Sequence, residues 1–293
     1  MNRRYFLEAG STMMASSLFI DPLSLFGQMQ KSEKGIGLQL YTVRNEMSKD
    51  AKGTLKKIAD IGYTFIENAG YSNGKFYSMT KDEFKTIIDD LNLKMVSGHI
   101  GLGNETGEKG LINRFEEVCK DANYVGQKYI GTGWLALDKR KTIDDYKKLA
   151  EYLNIGGNIA KEYGLKIFHH NHDFEFVKIN GEVPYEVLLN ETDKNLVTFE
   201  LDHYWTKKAG VDSLKLMKDY PGRFSLWHIK DMDNTEKQAF TEVGTGIIDY
   251  STIFKQKSLS KMDYFFIEQD SCLNHPPVKS IEISFNNLKK LKL

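Results

Sequence analysis

Leu-Lys-Ile-Phe-His-His-Asn-His (Leu165 to His172), Val-Thr-Phe-Glu-Leu-Asp-His (Val197 to His203), Phe-Ser-Leu-Trp-His-Ile-Lys-Asp (Phe224 to Asp231) and Tyr-Phe-Phe-Ile-Glu-Gln-Asp (Tyr264 to Asp270) share one pattern: an apolar run that ends in side chains able to bind a metal. Near-continuous apolar runs of this length are what strands buried on both faces look like, and such strands run parallel. In a closed α/β barrel the C-terminal ends of parallel strands open onto one face, so the four endings converge only in that arrangement. His, Asp, His and Glu at those ends suggest a divalent metal, with imidazole and carboxylate donors suiting Mn²⁺, Mg²⁺, Co²⁺ or Zn²⁺.

Working outward, the same alternation continues upstream. Ile36 to Tyr41 reads as a first strand, and Asp50 to Ile61 as a helix with Leu55, Ile58 and Ile61 on one face, stopped by Gly62. Tyr63 to Glu67 is a second strand, Lys81 to Leu91 a helix capped by Thr80, and Lys94 to His99 a third strand. Gly107 to Val125 is a helix stopped by Gly126, Lys128 to Thr132 a fourth strand, and about Thr142 to Tyr163 a long helix ending at Gly164. Helices at Val183 to Asn190, Asp212 to Asp219, Tyr250 to Lys255 and Pro277 to Lys290 separate and follow the four runs quoted above. Eight such cycles predict a (β/α)₈ TIM barrel, since right-handed crossovers leave few other ways to arrange them. A doubly wound open sheet would carry a Gly-rich turn after its first strand, and Leu38 to Val43 has none.

Composition agrees with one large domain: 293 residues, 41% hydrophobic and 12% aromatic. Lys plus Arg and Asp plus Glu are each 40, which gives no electrostatic reason to expect a nucleic-acid partner. Homo-oligomer formation stays open. Cys119 and Cys272 form no Cys-x-x-Cys unit, so neither a zinc knuckle nor a redox motif is indicated; buried thiols are the expectation, with a disulfide between the two as the alternative in an oxidising compartment. The N-terminal segment differs in kind. Asn2-Arg3-Arg4-Tyr5-Phe6-Leu7, followed by small and apolar residues to Ile20, resembles a twin-arginine export signal. Its apolar part, broken by Gly10, Ser11, Thr12, Ser16 and Ser17, is too short and polar to serve as a stable membrane anchor. The expectation is a leader over residues 1–30, a single barrel over 31–293, and a periplasmic destination.

The motifs His-Asn-His-Asp-Phe-Glu-Phe (His170 to Phe176), Glu-Leu-Asp with Tyr-Trp (Glu200 to Trp205), His-Ile-Lys-Asp-Met-Asp (His228 to Asp233) and Val-Gly-x-Gly-x-Ile-Asp (Val243 to Asp249) resemble the xylose isomerase-like barrels. That family includes sugar phosphate isomerases and epimerases, tagatose 3-epimerase and endonuclease four, and the resemblance covers the chain after the leader. It implies a metal held by Glu, Asp, His and Glu from strands five to eight. Asp202, His228 and Glu268 match the last three, while His170 stands where the family has its first Glu, so either His170 is the ligand or Glu175 reaches back. The implied chemistry is proton abstraction beside a carbonyl through an enediolate, with isomerisation, epimerisation or elimination as outcomes.

Within that chemistry Glu268 is the expected base, Glu175 a partner on the opposite side, and Lys230 a group that holds an anionic oxygen. Gln39, Tyr41, Glu67, His99 and His172 are expected to contact a small-molecule carbohydrate, with Trp134, Tyr204 and Trp205 offering aromatic faces. A free sugar, glycoside or 3-keto sugar suits an exported enzyme better than a sugar phosphate. Departure from the family's first Glu raises a second reading, a noncatalytic sugar-binding barrel.

Overall fold

A computed structural model describes residues 35–100 and 108–291. The expected leader, with Arg3 and Arg4, and the domain boundary near residue 31 lie outside the described residues. Eight parallel strands form the sheet: β1 (Gly37–Gln39), β2 (Phe65–Asn68), β3 (Lys94–Gly98), β4 (Tyr129–Thr132), β5 (Lys166–His170), β6 (Val197–Asp202), β7 (Leu226–Ile229) and β8 (Tyr264–Ile267). Their order is β3-β2-β1-β8-β7-β6-β5-β4. The two end strands meet through a parallel bridge between His99 and Gly131 and a bond from the Ile100 N–H to the Gly131 carbonyl, 2.7 Å, so the barrel nearly closes. The expected (β/α)₈ architecture is what the chain adopts.

The surrounding helices stop and start where local chemistry dictates. Helix α1 (Ala51–Ile61) ends at Gly62, whose φ of 113° lies in the left-handed region that a residue without Cβ reaches at low cost. Helix α2 (Lys81–Asp90) begins with a capping box between Thr80 and Glu83, and α4 (Ile143–Glu162) with one between Thr142 and Asp145. Between them lies α3 (Glu108–Val125); α5 (Pro184–Glu191), α6 (His203–Lys208), α7 (Ser213–Asp219), α8 (Tyr250–Phe254) and α9 (Pro277–Lys290) follow, and short helices at Arg44–Lys49 and Lys257–Ser260 fill the connections. Sequence periodicity missed α6, because Asp202 ends β6 and caps the helix at the same time: its Oδ1 accepts the N–H groups of Tyr204 and Trp205, each at 2.9 Å. Asp231–Met232 likewise leaves the seventh strand early to pair with Phe240–Thr241 as a hairpin. Both cysteines are free thiols, and Cys119 is buried. Among the described residues no helix is long and apolar enough to cross a membrane.

Side chains alternate across the barrel wall, and that alternation positions the site. Ile66, Ile167, Leu201, Trp227, Ile229 and Ile267 face outward into the helix-packed core. Phe65, Val96, Tyr129, Phe168, Leu226, Tyr264 and Phe266 form a separate apolar cluster inside the barrel. Two residues further along the same strands, the inward face turns polar: Glu67 after Phe65, His170 after Phe168, His228 after Leu226 and Glu268 after Phe266. The apolar cluster floors a polar chamber. A Cβ on inward-lying Gly131 would collide with the Phe168 carbonyl, so β4 and β5 approach as closely as they do only with glycine there.

Candidate metal centre

Strand register brings the donors together. Asp202 on β6 pairs with His228 on β7, and His228 pairs with Phe266 on β8, which puts Glu268 one inward position above the imidazole. Ligand atoms of His170, Asp202, His228 and Glu268 all lie within 4.8 Å of one another. His228 Nδ1 is 2.7 Å from Glu268 Oε2 and 3.8 Å from Asp202 Oδ2, and His170 Nε2 is 3.8 Å from the same Asp202 oxygen. These four are the side chains the strand endings singled out as ligands.

The residues present fit a divalent cation. Asp202 Oδ2 and His228 Nδ1 meet only other members of the cluster, Lys230 Nζ at 3.1 Å from the oxygen and Glu268 Oε2 at 2.7 Å from the nitrogen, while Asp202 Oδ1 and His228 Nε2 are engaged elsewhere. Two imidazole and two carboxylate donors, all buried and all within 4.8 Å of one another, are the donor set that a divalent cation takes. Charge balance argues the same way. Asp202, Glu268 and the partly exposed Asp270 share the Lys230 ammonium, and Glu67 and Glu200 meet the imidazoles of His228 and His99, so carboxylates outnumber their cationic partners and a cation would offset the excess.

A second group of donors, His99, His170, Glu200 and His228, lies deeper. There one oxygen, Glu200 Oε2, collects His99 Nε2 at 2.7 Å, His228 Nε2 at 3.1 Å and His170 Nδ1 at 3.2 Å. Three imidazoles around one carboxylate oxygen is the spacing of hydrogen bonding, so this inner group supports the outer one. Glu67 belongs to the same support: its Oε2 accepts from Gln39 Nε2 at 2.7 Å and meets His228 Nε2 at 2.6 Å, and its Oε1 accepts from Ser97 at 2.6 Å. Carboxylates behind metal-bound imidazoles fix ring orientation and tautomer in just this way.

The electrostatics follow from burial and neighbours. Burial pulls His228 down, yet Glu200, Glu268 and Glu67 outweigh it and hold the imidazole well above its ordinary range. Burial and His228 push His170 down to about 3, leaving it neutral. Asp202 is pushed up to about 6 by burial despite the pull of Lys230 and His228. Burial also opposes ionisation of Glu268, but Lys230 and His228 overcome it and keep that carboxyl well below the usual range.

Several expected site residues sit elsewhere. Glu175 does not reach back to the metal position: the chain turns after Asn171, and Glu175 lies outside the wall, 3.3 Å from His169 Nε2 and accepting the His172 N–H at 2.8 Å. The same bonds remove it as a partner base. Gln39 and Glu67 are wholly buried beneath His228, so they brace an imidazole where sugar contact was expected. His99 is bound to Glu200 rather than offered to a ligand. Tyr41 stands on the rim with the Arg44 guanidinium 4.2 Å from its ring centroid. His172 lies at the mouth, 8% exposed, among Trp134, Phe174 and Trp205. Glu200 and Asp270 were not assigned roles from the sequence, though each lies two residues from an expected ligand and thus on the same strand face. Lys230 joins the ligand carboxylates directly, 3.1 Å from Asp202 Oδ2, 2.8 Å from Glu268 Oε2 and 2.8 Å from Asp270 Oδ1.

The chain is similar to known proteins in sequence and fold. An inosose dehydratase from Clostridium perfringens is 31% identical over 262 residues, spanning 82% of this chain and 81% of that protein. Another inosose dehydratase, from Clostridium beijerinckii, is 24% identical over 265 residues, with shares of 82% and 81%. A solved sugar phosphate isomerase/epimerase from Parabacteroides distasonis matches with a TM-score of 0.77 at 27% identity, covering 90% of this chain and 96% of that one. The IOLI protein, solved with a zinc atom, shares the fold with a TM-score of 0.70 at 17% identity, covering 88% and 98%. Residues 55–290 match the family described as xylose isomerase-like TIM barrel, and the chain belongs to that family as an enzyme of its superfamily.

Proposed function

We propose that the chain is a metal-assisted, enolising enzyme that removes water from a polyhydroxylated ring ketone, such as an inosose or a 3-keto sugar. The observation that carries this reading is the placement of Glu268: its Oε2 lies 2.8 Å from the Lys230 ammonium and 2.7 Å from His228 Nδ1, so a carboxylate base and a cationic oxyanion holder share one point. The sequence kinship to inosose dehydratases supports dehydration as the outcome.

His170, Asp202, His228 and Glu268 would hold the cation. When bound, a divalent cation supplies Lewis acidity toward a carbonyl and its neighbouring hydroxyl. The chain's own part begins with Glu268, which takes the proton from the carbon beside the carbonyl. The electron pair moves onto the carbonyl oxygen, and Lys230 donates to the oxyanion that forms. An ammonium that turns from Glu268 to the substrate no longer depresses the carboxyl, so Glu268 becomes more basic as the proton is transferred. Protonated Glu268 then passes its proton to the β-hydroxyl, which leaves as water while the carbonyl re-forms. Return of the proton to carbon instead gives isomerisation or epimerisation, the second reading, which the likeness to a sugar phosphate isomerase/epimerase favours.

The experiment is exchange of the substrate α-proton with D₂O, followed by NMR on metal-loaded protein with an inosose, a 3-keto-glucoside and a ketose. Exchange with at least one of them, abolished by Glu268→Gln, is the expected result. A fully metal-loaded protein that exchanges none of them would overturn the enolising mechanism in favour of a binding protein. Loss of water to an unsaturated ketone separates dehydratase from isomerase.

A further inference from the structure

A line of rings leads away from the metal-binding group at the barrel mouth. His170 meets His172 with centroids 4.9 Å apart, His172 stacks on Phe174 at 5.3 Å, and Trp134 stands edge-on to both, 4.9 Å from His172 and 5.5 Å from Phe174. Trp205 closes the other side, 5.2 Å from His172. Beyond them lies Arg140, its guanidinium 3.4 Å from the Phe174 centroid and 4.9 Å from that of Trp134.

Two features of this wall are unexplained by folding alone. Trp134 is 60% exposed, although an indole is costly to leave in water. Polar atoms along the wall are buried without partners: Nδ1 of His172, Nε1 of Trp205 and Nε of Arg140. Among the described residues Arg140 touches ring faces and pairs with no carboxylate. A guanidinium flat on an aromatic face keeps its edge donors free for a planar oxygen pair, which is how arginine recognises carboxylates. Aromatic faces with a few unsatisfied donors are also what a carbohydrate-sized site requires.

We infer that Trp134, Phe174 and Arg140 form a second subsite beside the reacting centre, which takes the aglycone ring of a glycoside and pairs with a carboxylate carried on that ring. This deepens the proposed function and rests on it: the reacting sugar ring lies at Glu268 and His172, and the second ring extends over Trp134 to Arg140. The enzyme is then one for acidic glycosides in preference to single free sugars.

The test is calorimetric titration of metal-loaded protein with glucose, phenyl β-glucoside and 4-carboxyphenyl β-glucoside. The phenyl ring should tighten binding about two- to tenfold over glucose by ring stacking. The carboxylate should add about tenfold or more through charged hydrogen bonds. Trp134→Ala should remove the first gain, Arg140→Gln only the second, and Arg140→Lys should restore part of it. Equal binding of all three ligands overturns the subsite, as does an Arg140→Gln variant that weakens glucose as much as the carboxyphenyl glucoside. Proton exchange in a small ring ketone, and its loss in Glu268→Gln, are independent of this titration, so the subsite can fail while the enolising reading stands.

Discussion

Glu67 Oε2 lies 2.6 Å from Nε2 of His228, which anchors the ring on its inner nitrogen and turns Nδ1 outward to Glu268. A metal-binding imidazole oriented by a carboxylate loses about 10- to 100-fold in metal affinity when that carboxylate is removed. Glu67→Gln should therefore weaken binding by that factor, whereas Asp202→Asn should abolish it and Glu268→Gln, which keeps an oxygen donor, should leave a weaker site that excess metal still fills. Competition with a chromophoric chelator measures all three. Abolished binding in Glu200→Gln, with Asp202→Asn unaffected, would move the cation to the inner group.

Metal uptake should release a proton and strengthen as pH rises. His228 is held well above its ordinary range because Glu200, Glu268 and Glu67 outweigh burial. Such a raised group stabilises the metal-free fold at low pH, a contribution lost as pH climbs through the folded-state value. A cation at Nδ1 must displace that proton, while His170, pushed down to about 3, has none to lose. Calorimetry in buffers of different ionisation enthalpy, between about pH 6 and pH 8, reads the proton count. An affinity independent of pH would contradict the assignment of Nδ1.

Lys230→Met should destabilise the metal-free protein by about 3–5 kcal/mol, because the buried Asp202 and Glu268 and the partly exposed Asp270 would lose the ammonium they share. A divalent cation should then raise the melting temperature of the variant more than that of the wild type. Identical metal-free melting curves would show that the ammonium is not what holds these carboxylates.

Phe266→Ala removes the centre of the apolar floor, where the ring is wholly buried, and should cost about 3–5 kcal/mol in urea denaturation. Tyr41→Ala, at a rim position 43% exposed, should stay within about 0.5 kcal/mol. Equal losses at the two positions would mean that the floor does not stabilise the barrel.

Replacing Arg3 and Arg4 together by Lys should retain the protein in the cytoplasm if the arginine pair directs export. Cell fractionation decides it: an unchanged periplasmic yield removes the twin-arginine proposal.

Much of the centre was legible because strands alternate. Once Leu226 to Ile229 is a barrel strand, His228 and Lys230 must follow Leu226 on the inner face, and Phe266 must be followed by Glu268 and Asp270. The same rule, applied one step further, would have added Glu200 beside Asp202. The misplaced Glu175 shows where the rule stops. Beyond His170 the chain leaves the strand, alternation no longer governs direction, and a loop carboxylate followed His169 to the outside of the wall.

The sequence by itself determined the order of strands and helices, their parallel direction and the inward row of His170, Asp202, His228, Lys230 and Glu268, because apolar periodicity and caps act over neighbouring residues. Only the tertiary structure decided that Glu67 braces His228, 161 positions away, that Gln39 and Ser97 brace Glu67 in turn, and that Lys230 lies among the ligand carboxylates. Those pairings depend on closure and register of the whole barrel, and no spacing along the chain encodes which far strand supplies the group opposite a given side chain.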